Sequence, residues 1–108
     1  MALSMIQFSY TPQVVKKLFA YPEDRSVAVK KLIEKLGGKL ISFYYSFGDY
    51  DGIVIAEMPD NVASLTAAIA SYSEGNLNSL KTTIIVSVED AMKAMKKASE
   101  VKLEQPKG

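Results

Sequence analysis

The chain has 108 residues, 48% of them apolar, with thirteen basic and twelve acidic side chains for a net charge of +1. That length suits one modest core, and so balanced a charge argues against a dedicated nucleic-acid or anionic-membrane surface. Cysteine and histidine are both absent, which excludes disulfides, thiol nucleophiles, thiolate zinc sites, histidine-based triads and histidine-ligated haem, so any catalysis rests on carboxylates, Tyr, Lys, Ser, Thr or backbone amides.

Ser4–Tyr10 alternates, with Ile6, Phe8 and Tyr10 on one side and Gln7 and Ser9 on the other, which predicts a strand. Met5 is a second possible start, the four residues before it being an extension. Thr11-Pro12 reads as N-cap and first helical position for a short helix carrying Val14, Val15, Leu18 and Phe19. Tyr21-Pro22 interrupts it. Pro22-Glu23-Asp24 is expected to open a second helix with acids in its first turn. Val29, Leu32, Ile33 and Leu36 give that helix one apolar stripe, and Gly37-Gly38 ends it, one of the two glycines taking positive φ.

Lys39–Phe47 and Tyr50–Met58 are predicted strands joined by a two-residue turn at Gly48-Asp49. That pairing places Ile41, Phe43, Tyr45, Phe47, Tyr50, Val54 and Ala56 on one greasy face. Leu40, Ser42, Tyr44, Ser46, Asp51, Ile53, Ile55 and Glu57 share the other, mixed face. Asp60 then caps a helix with Val62, Leu65, Ile69 and Tyr72 on one side and enough Ala and Ser to approach a sheet closely. After Gly75-Asn76, Lys81–Val88 is the fourth predicted strand. Ser87-x-x-Asp90 is a capping box for a last helix with Ala91, Met92, Met95 and Ala98 inward, and residues 99–108 are a polar tail expected to fray.

The order β-α-β-β-α-β plus a C-terminal helix predicts an α+β, ferredoxin-like antiparallel sheet with its main helices on one face, over a single domain of residues 1–108 whose core is 5–98. The other face, bearing Tyr44, Ile53 and Ile55, is too apolar to leave in water, so a homodimer pairing sheet to sheet is expected. No apolar run is long enough for a spanning helix and no signal peptide is apparent, so a soluble cytoplasmic protein is the expectation.

The candidate site residues lie around the central hairpin. Asp51 either bonds backbone amides at the hairpin end or, partly buried beside Ser46 and Tyr44, acts as a general base. Asp51 and Tyr44 are the catalytic candidates, and Ser46, Ile53, Ile55 and Arg25 the ligand-binding ones. Arg25, the only arginine among the thirteen cations, either pairs with an acid or clamps an anionic ligand. Asp49 fits a turn position. The carboxylates lack an EF-hand pattern, and Lys81-Thr82-Thr83 lacks the glycines of a phosphate loop, so no metal and no cofactor are assigned.

Arg25, LGGKL at 36–40, FYYSFGDYD at 43–51, MPDN at 58–61, Gly75, LKTT at 80–83 and the VEDAMKAMKK helix together resemble the GYD domain family, over roughly residues 5–98. Its Gly-x-Tyr-Asp turn corresponds to Gly48-Asp49-Tyr50-Asp51. The resemblance implies membership of the dimeric α/β-barrel group, two ferredoxin-like subunits packed sheet to sheet. It implies no reaction, because that group includes cofactor-free oxygenases, isomerases, haem-handling enzymes and ligand-sensing domains alike. Two functions therefore stand open: a homodimer that binds or transforms a small, partly apolar metabolite, and a non-catalytic oligomeric module. Neither calls for nucleic acid or a membrane.

Overall fold

Strand β1, Ala2–Tyr10, lies inside the sheet, and everything else is arranged around it. A computed structural model describes residues 2–107. The elements that follow are α1 (Pro12–Ala20), α2 (Ser26–Lys35), β2 (Lys39–Tyr45), β3 (Gly52–Met58), α3 (Asn61–Ser73), β4 (Leu77–Ile85) and α4 (Val88–Ser99). The sheet order is β2-β3-β1-β4 with every neighbouring pair antiparallel, an α+β arrangement consistent with the ferredoxin-like class. β1 begins at Ala2, two residues before the predicted strand, and Ser4, near its start, is fully buried.

Several boundaries differ from expectation, each for a local reason. The second helix starts at Ser26, because Asp24 turns its carboxylate onto the Ser26 N–H at 2.9 Å; the acids precede the helix and none lies in its first turn. β4 begins at Leu77, four residues before the predicted start, since pairing with β1 carries Leu77, Ser79 and Leu80 into the ladder. Between β2 and β3 the chain makes a longer connection, Ser46–Asp51, closed by the Ser46 N–H on the Asp51 carbonyl at 2.9 Å and the Ser46 hydroxyl on the Tyr50 carbonyl at 2.7 Å. Phe47 does not pair with Tyr50; it is fully exposed at the tip. The connection still spans an even number of residues, so the predicted pairs Tyr45↔Gly52, Tyr44↔Ile53 and Phe43↔Val54 all form.

Further along β2, a bulge at Ile41 breaks the predicted alternation. Leu40 therefore packs against the core and Ile41 points away, 48% exposed, the reverse of the expected assignment. The core is the helix-side face: Phe8, Ile33, Val54, Ala56, Met58 and Ala67 are buried. α2 covers β2 while α3 lies over β3 and β4. α3 lays its small residues Ala63, Ser64 and Ala67 on the sheet, leaving Val62, Leu65, Ile69 and Tyr72 facing outward. The bulk under this helix comes from the strands, so small side chains on α3 give the closer fit.

Two glycines shape this architecture. Gly37 ends α2 at φ 81°, a conformation that costs a side chain about 1–2 kcal/mol. Gly52 lies beneath the Phe8 ring, where a Cβ would clash with the ring carbons. α4 is capped as expected, Ser87 accepting from the Asp90 N–H at 3.1 Å. Its apolar face is not inward, however. Met92 and Met95 are both more than 60% exposed and Ala98 is exposed too, because the helix leaves the body of the protomer. The radius of gyration is accordingly 17.6 Å, against about 13 Å for a compact chain of this length.

Candidate functional site

α2 and α3 stand apart over β1, and the gap between them is a cavity of about 310 Å³. Its floor is the helix-side face of the sheet, chiefly Ile6, Phe8, Val54 and Leu80, and its walls are Val29, Leu32 and Ile33 on one side and Ala67, Ala68 and Ser71 on the other. The alanines of α3 hold this space open, since larger side chains there would fill it. The volume falls at the small end of the usual range for ligand pockets, about 300–1,000 Å³.

Polar groups gather where β1 ends. Arg25, Tyr10, Glu74 and Asn76 line the cavity there, at the N-terminus of α2 and the C-terminus of α3. Four aromatic rings lead to this end: Tyr45 meets Phe43 edge-on at 5.4 Å, Phe43 lies 5.9 Å from Phe8, and Phe8 meets Tyr10 edge-on at 5.2 Å. The Tyr45 hydroxyl donates to the Glu23 carbonyl at 2.8 Å and accepts the Arg25 N–H at 3.2 Å, so β2 fixes the turn that carries Arg25. The Arg25 guanidinium reaches Glu23 at 3.6 Å.

Tyr10 is held from below by the motif turn. The Asp51 N–H donates to the Phe8 carbonyl at 2.8 Å, and the Asp51 carboxylate accepts the Tyr10 N–H at 2.8 Å. The ladder between β1 and β4 is irregular between Ser9 and Tyr10, so Asp51 satisfies a backbone donor where β1 no longer pairs with β3. Burial pushes the Tyr10 phenol up to about 12, with Tyr45 and Asp51 adding to the rise and the Arg25 guanidinium opposing it. A neutral phenol and a guanidinium thus stand together at the cavity mouth, and both are hydrogen-bond donors.

Among the six residues singled out from sequence, Arg25 is the one that lines this cavity. Asp51 is half-buried and bonds the Tyr10 amide, the backbone-bonding role that was one of its two expectations. Ser46 closes the connection beside it. Tyr44, Ile53 and Ile55 lie on the opposite, open face of the sheet, Tyr44 at 63% exposure and the two isoleucines half-buried. The sequence pattern marks Tyr10 only as a strand residue. A signal for more is present in the Ile6-Phe8-Tyr10 alternation, in which a phenol ends an otherwise hydrocarbon face. Among the described residues, no group of three or more Asp or Glu side chains gathers to hold a metal ion, and no helix is long and apolar enough to cross a membrane.

No curated protein matches the chain. Solved structures of similar architecture include TTHA0845 from Thermus thermophilus, 16% identical over 82% of this chain and 96% of its own, with a TM-score of 0.50. FFRP-DM1 is 21% identical over 80% of this chain and all of its own, with a TM-score of 0.46. The hypothetical protein PHS023 from Pyrococcus horikoshii is 20% identical over 81% of this chain and 92% of its own, at 0.44. Likeness at these identities concerns the fold alone. The sequence pattern is more telling: the GYD domain profile matches residues 5–104, nearly the full length, and the chain belongs to the GYD domain family.

Proposed function

We propose that this protein is a cytoplasmic homodimer that binds a small, partly apolar metabolite in the cavity between α2 and α3. The observation that carries the reading is the cavity itself, hydrocarbon on floor and walls and polar where Arg25 and Tyr10 meet. The dimer is a separate part of the proposal. Leu3, Met5, Ile53, Ile55 and Ile85 share the open face through the β1 pairings with β3 and β4, and among the described residues no helix is packed over them. A second copy laid sheet to sheet would bury them and make a dimeric α/β barrel, with Tyr44 and Ile53 toward its seam. If the protein is an enzyme, proton transfer or cofactor-free oxidation suits its side chains, with Asp51, Tyr44 or the Tyr10 phenol as the groups to test.

A second reading, a non-catalytic oligomeric module, is favoured by the outward stripe Val62, Leu65, Ile69 and Tyr72 on α3 and by the exposed methionines of α4. Thermal unfolding against a metabolite library separates the two, because a compound that binds the native state raises Tm by mass action. Selective stabilisation by a few small compounds is expected, and a flat response across the library would favour the module. For the dimer, light scattering at micromolar concentration should give twice the protomer mass, and Ile55→Lys should halve it. A wild-type monomer would end the dimer proposal.

A further inference from the structure

We propose that the ligand is a monoanionic acid with a compact apolar body, its acid group held by Arg25 and Tyr10 and its body lying over Phe8 and Val54. The inference rests on the cavity-binding reading above. Arg25 is the only arginine of the chain and, among the described residues, the only cation that lines the cavity. Its turn is fixed through Tyr45, so the guanidinium is presented from a held backbone. Its side chain is one-third exposed, and its contact to Glu23 is a single 3.6 Å approach to a carboxylate that is itself 58% exposed. Such a long, wet pair contributes little, so the guanidinium, which also bonds the Tyr10 phenol, can turn its remaining N–H groups to an oxyanion.

Tyr10 stays protonated well beyond neutral pH, so its O–H donates to the same oxyanion while its oxygen accepts from Arg25. Glu74, on the α3 wall, sets the charge limit. It repels a second carboxylate, and it is exposed where Arg25 is partly desolvated, so the cation governs the first. A cavity of about 310 Å³ lies at the small end of the range for ligand pockets, which suits a compact acid better than a long-chain one.

The test is isothermal titration with phenylacetate, hexanoate, their neutral amides and the dianion adipate. Wild-type protein is expected to bind each acid at least about tenfold more tightly than its amide, the size of one charge-assisted hydrogen bond, and adipate more weakly than hexanoate. Arg25→Gln should bring acid and amide to equal affinity by weakening the acid alone. The Arg25 side-chain N–H resonances of wild-type protein provide a readout that needs no variant: they should shift with the acids and stay still with the amides. Equal binding of acid and amide by the wild type, or still resonances with a bound acid, would overturn the anion clamp and leave the cavity reading standing. If neither acids nor amides bind, both fall.

Discussion

The two faces of the sheet both carry large apolar side chains and meet opposite fates. On the helix side, Phe8, Val54, Ala56 and Met58 are buried, and the space left between α2 and α3 is shaped. On the other side, Ile53 and Ile55 alternate with those same buried residues of β3, yet remain half-exposed. Alternation along a strand therefore assigns a face without saying what covers it. The covered face owes its stability to helices of its own chain, and the open face has no such cover among the described residues.

Truncation on each side is the sharpest way to test that difference. Ile33→Ala, which removes a 2% exposed side chain from α2, should cost about 2–5 kcal/mol in urea unfolding, independent of protein concentration. Ile53→Ala should cost less than about 1 kcal/mol in dilute protein, with a larger loss appearing as concentration rises if sheets pair. Equal losses at every concentration would show that the open face is not self-covered. Next in size is Asp51→Ala, which leaves the Tyr10 amide without its carboxylate acceptor. A loss of about 1.5–3 kcal/mol is expected, together with faster hydrogen exchange at Tyr10. Unchanged exchange would remove Asp51 from its role beneath the cavity.

The smallest effect is confined to alkaline solution. The Tyr10 phenol is raised in the fold from 10.0 to about 12, so folding favours its protonated form. That contribution is complete below about pH 10 and is lost as pH climbs toward 12. Lysines titrate in the same window, so the informative quantity is the difference between wild type and Tyr10→Phe. The wild type should lose more stability from about pH 9 to about 11.5 than the variant does, and parallel curves would mean the phenol is not held neutral.

Much of the architecture was legible because it depends on parity and capping. Thr11, Asp60 and Ser87 all cap the helices that their side chains announce, and the β2–β3 register survived a misjudged turn because the real connection is also even. The Leu40 and Ile41 exchange was not legible, since one extra residue in a strand leaves no mark on the hydrophobic pattern. Periodicity revealed the stripe on α3 but not its direction, which depends on how much bulk the strands beneath supply. The cavity was hidden for the same reason. It is a gap between helices far apart in sequence, and its mouth joins Tyr10, Arg25 and Glu74 from three separate elements.

Gly52 gives this cavity an adjustable depth. The Phe8 ring, part of the cavity floor, rests in the place where a Cβ at position 52 would stand. A single added methyl would push the ring up into the cavity and disturb its edge-on contact with Tyr10. Position 52 immediately follows the motif aspartate, so one residue holds the Tyr10 amide and the next sets how low the Phe8 ring can lie.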